Sequence, residues 1–101
     1  MTSKDADPTG WTLIATEGYK RALTTFVKKH HDLTAAHAGV LRLLEVSPYH
    51  PSLKLHPIHG RHEGEWAVSI TYSFRLTLTL VVIEHQILLL DVGSHDGVYR
   101  R

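Results

Sequence analysis

Apolar and polar residues alternate with two different periods along this chain. From Glu17 to His31 the side chains Tyr19, Leu23, Phe26 and Val27 recur at helical spacing, while Lys20, Arg21, Lys28 and Lys29 occupy the other side. The pattern predicts an amphipathic helix whose late positive charge, extended by His30 and His31, suits the macrodipole. A second helix is expected from a cap at Asp32 or Thr34 to about Val46, with Val40, Leu41 and Leu44 on one side. Pro48, Pro51 and Pro57 exclude a long helix after it. Ahead of both helices, "WTLIAT" (11–16) has the composition of a short strand. Residues 1–10, polar and containing Pro8 and Gly10, read as a loose tail.

Beyond the helices the period shortens to two. In "SLKLH" Leu53 and Leu55 alternate with Lys54 and His56, which predicts a strand with the two polar groups on one face. "HGRHEGE" (59–65) reads as a polar loop. "WAVSITY" (66–72) puts Val68, Ile70 and Tyr72 on one side. "RLTLTLVVI" (75–83) directs Leu76, Leu78 and Leu80 inward and Arg75, Thr77 and Thr79 outward. "EHQ" (84–86) is expected to be a tight hairpin connection. "ILLLDVG" (87–93) lacks alternation, so both of its faces should be covered. The order is strand, two helices, then a meander. This predicts an α+β domain over 11–101, with a two-helix hairpin packed on one face of a small, mainly antiparallel sheet. The opposite face, carrying Arg75, should stay partly open.

Composition narrows the classes. The 101 residues suffice for one domain, and 43% apolar with 21% charged residues is ordinary for a globular protein. With no cysteine, disulfides and thiolate chemistry are excluded, which suits a cytoplasmic setting. The N-terminal stretch has no apolar core of the secretory type, and no apolar run approaches a membrane span. The net charge of +1 neither demands nor forbids a polyanionic partner, and nine histidines can add charge below about pH 6.5.

Four residues are candidates for chemistry. His56 stands on the outward side of a short strand, Arg75 begins another, and His95 and Tyr99 follow the last. Strand ends in a meander converge, so the four are candidates for one concave patch. Such a set suits phosphodiester cleavage. Arginine holds a phosphate through two parallel N–H bonds. Two histidines serve as base and acid, each contributing roughly 10²–10⁴-fold. Tyrosine stacks on an unpaired base. RNA needs no metal here because its 2′-OH is the nucleophile. Plain alternatives stand beside this. The basic helix face is solvated, Arg75 pairs with Glu84 or Asp91, and Tyr99 caps the edge of the core. His56, His59 and His62 recur every third residue, but Pro57 and Gly60 place them in a loop without the fixed geometry and usual companions of a zinc site.

"LKLHPIHGRHEGEWAVSITYSFRLTL" followed by "ILLLDVGSHDGVYR" resembles the ParE/RelE toxin superfamily, in particular the YafQ-like branch of ribosome-dependent mRNA endonucleases from bacterial toxin–antitoxin pairs. The resemblance covers about 11–101 and is specific from Leu53 to Tyr99. It implies His56 as general base, Arg75 as phosphate-binding arginine, His95 as general acid and Tyr99 as the aromatic against the substrate base. It implies a cytoplasmic toxin acting on mRNA at the ribosome, without cofactor, and a cognate antitoxin that forms a hetero-oligomer with it. Lys20, Arg21, Lys28, Lys29, Arg42, Lys54 and Arg61 are the cations that would meet RNA if they cluster. The chain departs from the pattern at Ser69 and Ser73, where some relatives carry a histidine and an aspartate, and in its low net charge. The departures keep a rival open, a non-catalytic member of the same fold that inhibits gyrase or only binds its antitoxin. A histidine-rich metal binder is the third reading.

Overall fold

The structure is a computed structural model that describes residues 10–58 and 64–94. The predicted order is present. Strand β1 (Thr12–Ala15) is followed by helices α1 (Glu17–Lys29) and α2 (Thr34–Val46), then by β2 (His56–Pro57), β3 (Trp66–Ser69), β4 (Phe74–Val81) and β5 (Gln86–Ser94). The sheet runs β1-β5-β4-β3-β2. Its first strand lies parallel to its last, and the remaining pairs are antiparallel.

Helix α1 starts where Thr16, in extended backbone, accepts the Tyr19 N–H on its side-chain oxygen and donates its hydroxyl to the Leu89 carbonyl at 2.7 Å. One residue thus caps the helix, worth about 1 kcal/mol, and pins it to β5. Helix α2 starts differently from the expectation. Leu33 occupies the cap position without a side-chain bond, and neither Asp32 nor Thr34 caps the helix. A single 3₁₀ turn over His31–Leu33 joins the helices, and the Thr34 hydroxyl donates back to the His31 carbonyl. Ser47 and the buried Pro48 close α2, proline being unable to continue a helix.

Both helices cover one face of the sheet. Tyr19, Phe26, Val40 and Leu44 pack with Val68, Leu76, Leu78, Ile87, Leu89 and Val92 in one cluster. Phe74 extends it, meeting Phe26 edge-on and the ring of His30 at a 4.5 Å centroid distance. The sheet residues of this cluster fall on one side because Val68 pairs with Leu76 and Leu76 with Val92. A bulge between Thr77 and Leu78 leaves Leu90 without a partner, so Leu89 and Val92 both reach the helices.

Three expected elements differ. "SLKLH" is not a strand: Pro51–Leu53 form a 3₁₀ turn, Lys54 is left-handed, and pairing begins only at His56. Strand β3 stops at Ser69, and Tyr72 is 93% exposed on the turn to β4 rather than in line with Val68. The β4–β5 connection is a 3₁₀ turn over Val82–Glu84 closed by left-handed His85, longer than "EHQ". His85 donates through Nδ1 to the Gly10 carbonyl and stacks on Trp11, which ties this turn to the start of β1.

His37, 6% exposed on α2, shares a hydrogen bond with the Tyr19 hydroxyl between the helices. Burial holds the His37 pKa below its usual 6.5 and pushes Tyr19 up to about 12. His37 binds a proton more readily unfolded than folded, so its contribution is present above about pH 6.5 and is lost as pH falls below it. Tyr19 acts in the other direction, with stability lost as pH rises from 10 toward about 12. The acid side of a melting-temperature profile should therefore flatten in His37→Gln, which keeps a partner for Tyr19. An unchanged acid limb in that variant assigns the slope to other groups.

Candidate functional site

Residues directly opposite each other in antiparallel strands share a face, so the register locates the site. His56 pairs with Ala67, Ala67 with Thr77, and Thr77 with Asp91, which makes one row across β2, β3, β4 and β5. The adjoining row is Ser69, Arg75 and Gly93. Both rows lie on the face away from the helices. His56 and Arg75 therefore share this face, at a backbone separation of about 12 Å given ~4.8 Å between strands and ~3.4 Å per residue. This face is less open than its alternation suggests, because Ala67, Thr77 and Asp91 are buried there.

His56 is half-buried, and its Nδ1 lies 2.9 Å from the Lys54 carbonyl. A carbonyl only accepts, so the proton is on Nδ1 and Nε2 is the basic nitrogen of the neutral ring. That is the form a general base requires.

Arg75 is held by the turn before it. Its Nη1 donates to the carbonyls of Thr71 and Tyr72, both at 2.9 Å, and more weakly to that of Phe74. It pairs with neither Glu84 nor Asp91: among the described residues the ion pair formed is Lys20–Glu17. The Nε–H is buried without a partner, and Nη2 makes no hydrogen bond to a described residue. An unsatisfied buried donor costs about 1–3 kcal/mol. The Nε–Nη2 edge is also the one that forms two parallel bonds to an oxyanion. The guanidinium thus spends Nη1 on the turn, while its Nε–Nη2 edge, buried at Nε, makes no bond to a described residue.

His95, Tyr99 and Arg61 lie outside the described residues. The last described residue, Ser94, pairs with Phe74 beside Arg75. Lys20, Arg21, Lys28 and Lys29 are exposed on α1, which covers the other face of the sheet, and Arg42 is exposed on α2. The structure therefore brings His56 and Arg75 onto one face and leaves the helical cations on the opposite side. Lys54 does not share a strand face with His56, because it is not in a strand. The sequence reading missed Thr77 as a neighbour in the His56 row, where its buried hydroxyl has no partner, and saw Asp91 only as a partner for Arg75. The unpaired Leu90 hides this row, since it breaks the alternation that would have put Asp91 there. Among the described residues no group of three or more histidines and carboxylates is arranged to hold a metal, and no helix is long and apolar enough to cross a membrane.

No family model matches the sequence, and no curated protein matches it. Solved structures do match. The Escherichia coli DinJ–YafQ toxin–antitoxin complex contains a chain superposing with a TM-score of 0.72 at 17% identity, over 89% of this chain and 98% of that one. A YoeB/ParE toxin from Agrobacterium tumefaciens gives 0.69 at 15% identity, over 83% and 98%. A metal-bound toxin from Helicobacter pylori gives 0.67 at 23% identity, over 87% and 98%. Two helices on one face of a mixed five-stranded sheet are thus the fold of the RelE/ParE-type toxins.

Proposed function

We propose that this chain, with its RelE/ParE-type fold, is the toxin of a toxin–antitoxin pair and an endoribonuclease that cleaves mRNA at the ribosome. The observation that carries the reading is the pairing on one face of His56, whose Nε2 is basic, with Arg75, whose Nε–Nη2 edge has no bond to a described residue. In the reaction, His56 Nε2 takes the proton from a 2′-OH as its oxygen attacks the adjacent phosphorus. Arg75 balances the charge gathering on the phosphoryl oxygens. His95 gives a proton to the departing 5′-oxygen, and Tyr99 stacks on the neighbouring base. The products are a 2′,3′-cyclic phosphate and a 5′-hydroxyl. A cognate antitoxin silences the toxin by covering this face. The likeness to the DinJ–YafQ complex supports such a partner. The site of action is the cytoplasm, where message and ribosome meet.

The helical cations take a separate part. Arg21 and Lys28 stand two turns apart on the exposed side of α1, remote from His56, and suit ribosomal RNA rather than the scissile strand. Replacing Lys20, Arg21 and Lys28 by Gln should weaken ribosome association and reduce its salt slope by about 0.7–0.9 per lost phosphate contact. Lys20 should count least, being paired with Glu17 at 3.3 Å. An unchanged slope returns these residues to a solvated face.

Ser69, directly across from Arg75, favours the rival, since a hydroxyl there brings no group that titrates near neutral pH. The deciding experiment is induced expression in bacteria with primer extension on a reporter mRNA. Discrete new 5′ ends that vanish in His56→Ala support the nuclease. Arrested growth with intact message, in the wild type and in His56→Ala alike, supports a non-catalytic toxin.

A further inference from the structure

We infer that Lys54 is a positioning residue whose backbone, not its ammonium group, fixes the tautomer of His56. The inference rests on the reading of His56 as the base, although the tautomer itself does not depend on any activity. Strand β2 is short: among the described residues it pairs with β3 at His56–Ala67 and Pro57–Trp66, with the Ile58 N–H bonded to the Glu65 carbonyl just beyond. The turn before it adds orientation. His50 caps that turn by accepting the Ser52 N–H on Nδ1, Pro51 starts it, and the Lys54 N–H closes it onto the Pro51 carbonyl at 3.2 Å. Lys54 then takes φ 54° and ψ 47°, a left-handed conformation uncommon for a residue other than glycine. Its carbonyl accepts a hydrogen bond from Nδ1 of the His56 ring, at 2.9 Å. Backbone strain directly before a proposed catalytic group is where such strain concentrates.

Glycine would be the easy residue at this position, and the lysine side chain is exposed. The consequence for chemistry is specific. Neutral imidazole in water favours the proton on Nε2, which would leave the basic nitrogen facing the turn. The Lys54 carbonyl reverses that preference, so that Nε2 carries the lone pair.

The test is the ring ¹⁵N spectrum of His56 at a pH where the ring is neutral, assigned by loss of its signal in His56→Gln. The wild type and Lys54→Gly should both show the proton on Nδ1, because glycine adopts the left-handed conformation without penalty. Lys54→Val, β-branched and poorly suited to positive φ, should move the population toward Nε2–H. Its cleavage rate should fall about tenfold, less than the roughly 10²–10⁴-fold of losing the base itself. Lys54→Gly should lose less cleavage than Lys54→Val. A wild-type ring protonated on Nε2 overturns the inference, and so does a glycine variant that loses cleavage as the valine variant does, which would return the role to the ammonium charge. The wild-type and glycine spectra decide the matter even where the valine variant does not fold. A wild type with Nδ1–H that cleaves no message overturns the nuclease reading while supporting the positioning.

Discussion

His56→Ala is expected to lower ribosome-dependent cleavage roughly 10²–10⁴-fold, the cost of removing one positioned acid or base. The loss should be chemical rather than structural. The ring sits on a two-residue edge strand, half-buried, outside the apolar cluster under the helices. Its removal therefore leaves the core intact, and the melting temperature should move little. The control must be a histidine without such duties. His31 serves, being exposed on the turn between the helices. His85 does not, because it stacks on Trp11, bonds Gly10 and holds a left-handed turn. Cleavage assays in which His56→Ala and His31→Ala match the wild type would remove His56 from the mechanism. His95→Ala is expected to behave as His56→Ala does.

Arg75→Lys should cost roughly 10²–10³-fold in cleavage, the scale of losing a preorganised donor to a developing anionic oxygen. A guanidinium can bond the turn carbonyls through Nη1 and still present Nε and Nη2 to a phosphate. An ammonium group is a point charge that can serve one task or the other. The lysine variant should therefore keep the Thr71–Phe74 turn and the fold, with a stability loss of about 1 kcal/mol or a fall of roughly 4–8 °C in melting temperature. Paired measurement of melting and cleavage separates the roles. Normal cleavage, or wholesale unfolding, would make Arg75 a turn-capping residue only.

Where local pattern and tertiary packing agree, the sequence was readable. Tyr19 and Phe26 on α1, Val40 and Leu44 on α2, and Leu76 and Leu78 on β4 lie in the core as their spacing predicts. Where a short turn imitates a period, it was not. Leu53 and Leu55 both pack inward, yet a 3₁₀ turn and a left-handed lysine place them rather than a strand. Tyr72 fits the β3 alternation on paper. Arg75 instead gathers the Thr71 and Tyr72 carbonyls into a turn and leaves that side chain in solvent. His37 shares the helical face of Val40, Leu41 and Leu44, but the partner that satisfies it there, the Tyr19 hydroxyl, belongs to another helix and was not legible. The facing of His56 and Arg75 follows from the β2–β3 and β3–β4 registers, which local spacing does not reveal; the Leu90 bulge sets only where Asp91 falls.

The parallel pairing of the first strand with the last also sets when the molecule can become itself. β1 bonds β5 from Thr12↔Gln86 to Ala15↔Leu89, and the Thr16 cap reaches Leu89 across 73 residues. The helix hairpin is local and can form early in synthesis. The core cannot close until Ile87, Leu89 and Val92 arrive, because β1, β4 and α1 all lean on β5. Contacts so distant in sequence make assembly a late and comparatively slow event. On the proposed activity, the nascent chain is harmless to the ribosome that makes it until its message has been read almost to residue 94, and that delay gives an antitoxin time to meet it.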